Sequence, residues 1–152
     1  MGNTLRRLTS KCVTFAVAGR GAAKLCPLQF GVGVRGGCEG IVHGTRAFLK
    51  DEKITINRRW LLQVVLHNTF NLVDRIFMMA AVREHFPDIS HWVESCYSVA
   101  PFLNLGKETI SSTTGAHQGD PLGSLLFALS LHPVIAGVYK VELFMAKWCG
   151  IN

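Results

Sequence analysis

Residues 115–126 contain a run of residue types whose order suits the binding of an anion at the start of a helix. The segment is GAHQGDPLGSLL. Gly119 can take a positive φ or let the backbone approach a ligand, Asp120 can cap the first unpaired amides, and Pro121 suits the first helical position. We therefore predict a strand-to-helix joint and a helix from Pro121, whose first amides either face an anion or are simply capped.

Four blocks of the chain, in the order that the family has them, resemble reverse transcriptases of non-LTR retrotransposons. QGDPL at 118–122, with the apolar run that ends in Leu131-His132-Pro133, resembles motif B. LLQVVLHNTFNLVDR at 61–75 resembles the motif A strand and turn. PLQFGVGVRGGCEGIVHGTRAFL at 27–49 resembles the fingers segment, and LRRLTSK at 5–11 resembles the stretch before it. The resemblance implies RNA-directed DNA polymerisation.

The resemblance also implies two magnesium ions, held by one carboxylate of motif A and a pair from a later Tyr-x-Asp-Asp motif. When Gln63, Asn68 and Phe70 are aligned with the family's motif A, Val65 falls where the metal-binding Asp belongs. Valine has no oxygen ligand for magnesium. No Asp-Asp pair occurs before Asn152. We therefore predict a truncated, degenerate member of the family with no catalytic residue, no intact metal site and no polymerase activity.

Three residues match the nucleotide site of the family. Phe70 matches the aromatic steric gate, which the resemblance places against the sugar, although a core aromatic residue is an equal alternative. Gln118 matches the motif B glutamine near the incoming nucleotide, and Gly119 allows a close approach. We predict that Asn71 and Arg75 fix the turn after the strand. Without metal ligands, we expect any surviving nucleotide binding to be weak and non-productive.

The net charge of +6 lies entirely in residues 1–38, which contain six basic and no acidic side chains. A basic segment suits a phosphate backbone, because each neutralised phosphate releases counterions. We predict weak, non-specific contacts with RNA or DNA by Arg6, Arg7, Lys11, Arg20 and Lys24. Two alternatives stay open, a domesticated nucleic-acid-binding module and a small organelle-targeted protein, because an Arg-rich, acid-poor start also fits a transit peptide.

Other site chemistries find less support. The five cysteines have no C-x-x-C spacing and the six histidines no HExxH pairing, which disfavours zinc. An odd number of cysteines without a secretory signal favours free thiols in the cytoplasm or nucleus over an organelle. Ser111, His117 and Asp120 could be assembled into a hydrolase triad, but the chain has no nucleophile elbow.

Apolar spacing and breaker residues predict the elements that position these side chains. We predict one or two helices in 5–26, a glycine loop at 31–37, and a helix over 39–50 with Ile41, Thr45, Phe48 and Leu49 on one face. A buried strand follows from Trp60 to Leu66, then a helix from Asp74 to Phe86, a second helix capped by Asp88 that ends before Pro101, and a hairpin of 102–105 with 109–113.

This order predicts an α+β fold, the partial fingers and palm of a reverse transcriptase that lacks its catalytic hairpin. We expect a fingers-like basic segment at 1–58, a partial palm at 59–137 and an unrelated tail at 138–152. The apolar run 122–131 is interrupted by Pro133 and is shorter than the ~20 residues of a membrane span, so we predict no membrane span and no membrane partner. The 60–66 strand keeps an open edge, through which we expect self-association.

Overall fold

The computed structural model describes residues 4–50, 61, 64 and 67–140. This part of the chain is mostly helical and contains a small two-stranded antiparallel sheet, which agrees with the predicted α+β class at its coarsest level. The elements are α1 (Thr4–Leu25), α2 (Gly37–Lys50), α3 (Thr69–Leu72), α4 (Arg75–His85), α5 (Pro87–Tyr97), β1 (Phe102–Leu105), β2 (Glu108–Ser111) and α6 (Gly123–Lys140).

Backbone contacts divide the described residues into two compact units. The first unit takes residues 4–17 and 67–131, and the second takes the described residues among 18–64 and 132–140. Helices α1 and α6 therefore contribute residues to both units. The predicted segments 1–58, 59–137 and 138–152 rest on sequence resemblance and not on packing, and they stay a prediction.

Helices α4 and α5 of the first unit form the predicted pair on either side of Phe86. Asp74 caps α4, because its Oδ1 accepts hydrogen bonds from the backbone N–H groups of Ile76 at 2.7 Å and Phe77 at 3.2 Å. Pro87 is the first residue of α5, where its missing N–H would have had no helical partner. The prediction that Asp88 caps this helix is wrong, because α5 starts before Asp88 and places it in the first turn.

The apolar core of the first unit consists of side chains that recur at helical spacing. On α5 these are Ile89, Val93 and Tyr97. Helix α1 adds Val17 and also Ser10, whose Oγ accepts a hydrogen bond from Trp92 Nε1 at 3.3 Å. Further buried apolar side chains of the unit lie on or beside α4 and α6, among them Met78, Val82, Phe86, Leu122, Leu125, Leu126, Ala128 and Leu129.

Helix α6 differs from its prediction at both ends. It begins at Gly123 and not at Pro121, because a tighter turn precedes it. In this turn the N–H of Gly123 donates a hydrogen bond to the carbonyl of Asp120 at 3.0 Å. It also continues through Pro133 to Lys140. A proline within a helix removes one backbone N–H donor, and α6 continues past Pro133 without that hydrogen bond. Among the described residues, no helix is both long and apolar enough to cross a membrane.

The hairpin of β1 and β2 is confirmed, with Leu105 opposite Glu108 around the turn residues Gly106 and Lys107. Gly106 has a φ of 64°, the positive value that tight hairpin turns require. The register continues to Phe102 opposite Ser111, and all four side chains of β2 are exposed. In the described part of the chain the hairpin pairs with no third strand.

The predicted buried strand at 60–66 can be followed at two positions, Leu61 and Val64. Neither belongs to a strand, and each is 62% exposed, so the prediction is wrong at these positions. The described sheet consists of β1 and β2 alone, so Leu61 and Val64 have no partner strand in it. The other residues of the segment, Val65 among them, lie outside the described residues, and self-association through this edge stays a prediction.

The second unit contains the predicted short helix as α2. Of the four residues that the spacing placed on one face, Thr45 and Phe48 are half-buried and Ile41 and Leu49 are exposed. Ile41 is 49% and Leu49 50% exposed, whereas the buried residues of this helix are Gly37 and Gly44. Helix α2 therefore packs through its backbone at two glycines and turns large apolar side chains towards solvent.

Candidate functional site

The joint loop, residues 112–122, connects β2 to α6 and carries the Gln-Gly-Asp-Pro motif. Asp120 Oδ1 accepts a hydrogen bond from Leu122 N–H at 3.0 Å. Gly119 has a φ of 80°, in the left-handed region where a residue with a Cβ is strained. The prediction that Gly119 takes a positive φ is therefore confirmed, and Asp120 caps one amide, that of Leu122, in the turn before α6.

Asp120 also belongs to a buried polar cluster formed by Arg6, Arg75, Tyr97, His117 and Asp120. Its Oδ2 accepts the O–H of Tyr97 at 2.6 Å and an N–H of Arg6 at 3.3 Å. The Asp120 side chain is only 4% exposed. A carboxylate can be buried to this degree because a cation and several donors replace the water that it loses.

Tyr97 forms the wall of the polar cluster. Its ring stacks on the His117 imidazole with centroids 4.5 Å apart and an interplanar angle of 18°. Its hydroxyl oxygen also accepts the backbone N–H of His117 at 3.2 Å. The guanidinium carbons of Arg6 and Arg75 lie 5.6 and 5.7 Å from the ring centroid, within the range of cation–π attraction. Burial, helped by the hydrogen bond to Asp120, raises the pKa of Tyr97, so the phenol keeps its proton.

His117 is held neutral between two guanidinium groups. Arg6 Nη2 donates to its Nδ1, and Arg75 Nη2 lies 3.5 Å from its Nε2. Burial first, and then the charges of Arg6 and Arg75, lower the pKa of His117 to about 4. A neutral ring that accepts at Nδ1 carries its single proton on Nε2, so the 3.5 Å contact with Arg75 is not a hydrogen bond. His117 therefore acts as a hydrogen-bond acceptor for Arg6, and its low basicity makes it a poor general base at neutral pH.

The side chain of Arg75 binds the joint loop through several hydrogen bonds. It is 6% exposed, and its Nε donates to the carbonyl of Gly115 at 2.9 Å. Its terminal nitrogens donate to the carbonyls of Ser112 and Thr114 and to the Ser112 hydroxyl. Burial lowers the pKa of Arg75, but a guanidinium keeps its charge at every physiological pH. Arg75 thus fixes the loop before α6, a larger role than the predicted one in the turn after the motif A strand.

Asn71 makes a second close contact with the same loop. Its carbonyl accepts the Thr114 hydroxyl at 3.0 Å, and a Cβ added to Gly115 would lie 2.5 Å from that carbonyl oxygen. Gly115 also has a φ of 79°. A side chain at position 115 is therefore excluded both by the conformation and by the approach of Asn71.

A small pocket opens beside the polar cluster. It is lined by Arg6, Arg7 and Ser10 of α1 and by residues 117–120 of the joint loop. Its volume of ≈ 10 Å³ is about the space that one water molecule needs. Gln118 and Gly119, which are adjacent in sequence, both line this pocket, and its volume is smaller than that of a nucleotide. Their role in nucleotide binding stays a prediction.

Phe70 lies on α3 and does not line this pocket. Its side chain is 48% exposed, and its ring packs against that of Phe127 with centroids 4.7 Å apart. Its carbonyl accepts the backbone N–H of Ala116 at 2.8 Å, which attaches α3 to the joint loop. The structure therefore brings Gln118 and Gly119 together and leaves Phe70 outside their pocket.

The five predicted basic contacts have different surroundings. In the first unit, Arg6 is engaged in the polar cluster, whereas Arg7 and Lys11 are exposed. The Lys11 ammonium lies 6.0 Å from the centroid of the Phe15 ring. In the second unit, Arg20 and Lys24 are both exposed. Four of the five predicted side chains are thus accessible to a phosphate backbone.

The donor set of the joint loop does not fit magnesium, which binds oxygen ligands and takes one or two protein carboxylates. Asp120 supplies the carboxylate of this pocket, and it is already bound by Arg6 and Tyr97. Across the described residues, no group of three His, Cys, Asp or Glu side chains could hold a metal ion. Val65, at the place of the family's motif A Asp, lies outside the described residues and is known from sequence alone.

The hydrolase triad of Ser111, His117 and Asp120 is not assembled. Ser111 is an exposed residue at the end of β2. The side chains of His117 and Asp120 each bind Arg6. A nucleophile, a base and an orienting acid in mutual contact are therefore absent from these three residues.

Sequence reasoning missed Tyr97 and did not pair Arg6 with Asp120. The helical spacing of Ile89, Val93 and Tyr97 indicates one apolar face, but it does not indicate a partner for the Tyr97 hydroxyl. A buried tyrosine hydroxyl needs a hydrogen-bond partner, and that requirement was the available signal. The pairing of Arg6 with a residue 114 positions away left no trace in local sequence.

Comparisons with known proteins found no similar family, protein or structure. No family model matches the sequence, and neither the curated proteins nor the solved structures contain a match. The function must therefore be inferred from the residues and their geometry.

Proposed function

We propose that this chain is a degenerate reverse transcriptase-like domain of retroelement origin that no longer polymerises DNA and that binds RNA or DNA weakly through the basic helix α1. The observation that supports this proposal best is the order of the four sequence blocks at 5–11, 27–49, 61–75 and 118–133, in which Val65 takes the place of an essential carboxylate. Blocks of this length in this order are more specific than any one motif.

The loss of activity follows from the metal chemistry of the family. Two ions would clamp the attacking and leaving oxygens of a phosphoryl displacement, and they need several carboxylates. Val65 takes the place of one of these carboxylates, and residues 1–152 contain no Asp-Asp pair. Asp120 cannot substitute for them, because both of its oxygens already accept hydrogen bonds. Its Oδ2 accepts from Arg6 and Tyr97, and its Oδ1 accepts from the N–H of Leu122.

The binding activity is supported by the surface of α1. The helix contains no acidic residue, and Arg7, Lys11, Arg20 and Lys24 are exposed along it. Cationic side chains on such a surface attract the phosphate backbone without reading its sequence. Binding should therefore be weak, non-specific and strongly dependent on salt.

A primer-extension assay tests the loss of catalysis. The purified chain, given a primed RNA template, deoxynucleotides and magnesium or manganese, should extend nothing above background. Val65→Asp should not restore activity, because the second set of carboxylates is still missing. Template-dependent extension by the unaltered chain would overturn this part of the proposal.

A salt titration of RNA binding tests the role of α1. Removing the helix is unsuitable, because Val17 and Leu25 are fully buried and the fold depends on them. Two matched pairs of substitutions avoid this problem, Arg7→Gln with Lys11→Gln and Arg20→Gln with Lys24→Gln. Each lost phosphate contact should reduce the slope of log K against log salt by about 0.7 on single-stranded RNA. Unchanged affinity and slope in both pairs would contradict binding through α1.

A further inference from the structure

The pocket of the joint loop has one cation that the polar cluster does not use. Arg6 lines the pocket but is bound to Asp120 and His117. Arg7 also lines the pocket, and it has no hydrogen bond or ion pair within the part of the chain that the structure describes. Its Nη2 lies 4.0 Å from the place that a Cβ on Gly119 would occupy. The guanidinium group of Arg7 thus lies at the mouth of the pocket, beside the backbone of Gly119.

Ser10, which also lines the pocket, supplies a second donor that has no acceptor among the described residues. Ser10 is 1% exposed, and its Oγ accepts a hydrogen bond from Trp92 Nε1. Its own hydroxyl proton has no acceptor among the described residues, unlike those of Thr9 and Thr14, which bond to carbonyls one turn back on α1. A buried donor without an acceptor is unfavourable, so an oxygen atom in the pocket would complete it.

The backbone of the joint loop adds two further donors. The N–H groups of Gln118 and Gly119 form no hydrogen bond within the described residues, whereas those of His117, Asp120 and Leu122 all have acceptors. Consecutive unpaired N–H groups at a left-handed residue are typical of sites that bind anions. The pocket therefore collects donors of four residues that have no acceptor among the described residues and that an oxygen of a ligand can bind.

The remaining lining residue, Asp120, does not repel such a ligand strongly. Its carboxylate is 4% exposed and faces Tyr97, Arg6 and the helix amide of Leu122. With Arg6 and Arg7 positive and His117 neutral, the pocket carries one net positive charge. Its ≈ 10 Å³ admits one oxygen atom and excludes a base or a sugar.

We propose that Arg7, Ser10 and the backbone N–H groups of Gln118 and Gly119 bind a phosphate group, with one of its oxygens in the pocket and the remainder at the surface. In a nucleic acid this site would seat one backbone phosphate, and in that form the inference rests on the proposed function. Free inorganic phosphate has the same chemistry and is the other source.

The test measures two probes on the full chain, inorganic phosphate by amide NMR and a uridine decamer by fluorescence anisotropy, both at fixed ionic strength. Phosphate should shift the Gln118 and Gly119 amide signals saturably. Arg7→Gln should weaken phosphate binding by about tenfold and Ser10→Ala by a smaller factor, because each removes a donor to an anion. Lys11→Gln is the matched control, since it removes the same charge one turn along α1 and does not line the pocket.

Three outcomes separate this site from the proposed function. Phosphate binding that Arg7→Gln and Ser10→Ala weaken, with RNA binding weakened more by Arg7→Gln than by Lys11→Gln, supports a nucleic-acid phosphate site. The same phosphate result without RNA binding supports the site for free phosphate and contradicts the proposed function. Salt-dependent RNA binding that Arg7→Gln and Lys11→Gln weaken equally, with no phosphate shift at Gln118 and Gly119, would overturn the site and leave the proposed function standing.

Discussion

The joint loop and the β hairpin before it are adjacent in the chain, but they are held in place in opposite ways. The hairpin is held by its own ladder, from Phe102 opposite Ser111 to Leu105 opposite Glu108, and its described side chains are exposed. The joint loop makes no ladder, and buried side chains from other elements hold it. Arg75 alone binds three of its carbonyls.

The difference shows where the stability of the first unit resides. A hairpin with exposed faces depends on local pairing and turn chemistry, so that the loss of one side chain changes little. A loop held by buried charges depends on each donor, because an acceptor left without a partner inside the protein is strongly unfavourable. Substitutions beneath the joint loop should therefore have the largest effects, and substitutions on the hairpin the smallest.

Arg75→Leu should have the largest effect. It keeps an apolar stem but leaves the carbonyls of Ser112, Thr114 and Gly115 without their donor, and we expect a loss of about 3 kcal/mol in the free energy of unfolding. Urea unfolding followed by circular dichroism measures it. Arg83→Leu is the control, since Arg83 is 55% exposed and, among the described residues, pairs only with Glu94, so it should change stability by less than about 1 kcal/mol. Equal losses would show that Arg75 does not hold the loop.

Tyr97→Phe should come next, with a loss of about 1–2 kcal/mol. The ring that stacks on His117 is kept, while the hydroxyl that serves Asp120 and the His117 N–H is removed. A double-mutant cycle with Asp120→Asn tests the reason, because the two changes share one hydrogen bond and should not add. Additive effects would contradict a direct coupling between Tyr97 and Asp120.

Acid should weaken the polar cluster through His117. The pKa of His117 is lowered to about 4 in the folded chain against about 6.5 unfolded, so the unfolded chain binds this proton first. The contribution of His117 is complete above pH ~6.5 and is lost as the pH falls through 4. Since the ring is only partly buried, we expect about 1–2 kcal/mol, less than the full shift would give.

The variant His117→Gln isolates that contribution. Glutamine keeps an acceptor for Arg6 and does not titrate, so the difference in unfolding free energy between the two chains should change between pH 6.5 and 4 and be constant above it. Urea titrations at several pH values give this difference. A constant difference across the whole range would show that the folded and unfolded histidines have the same pKa.

The hairpin should give the smallest effect. Phe102 is 74% and Ile110 48% exposed, and Phe102→Thr and Ile110→Thr keep good strand formers in both positions. We expect each to change the unfolding free energy by less than about 0.5 kcal/mol. A loss comparable with that of Arg75→Leu would mean that the hairpin is covered in solution and that the contrast between the two regions is wrong.

Features set by neighbouring residues could be predicted from the sequence. The apolar spacing after Asp74 predicts α4, although not that Asp74 caps it, and Pro87 predicts the break between α4 and α5. Gly106 predicts the turn of the hairpin, and Asp120 the cap of the joint loop. These features depend on φ, on a missing N–H or on a side chain that reaches its own backbone, all of which act within a few residues.

Only the tertiary structure decided which faces are buried and which polar groups meet. Ile41 and Leu49 have helical apolar spacing, yet α2 is buried at Gly37 and Gly44 instead. The polar cluster joins Arg6 to Asp120 across 114 positions. Periodicity reports that a face can be buried, but the partner that buries it, and the charge that must then be compensated, are determined by packing between segments far apart in the chain.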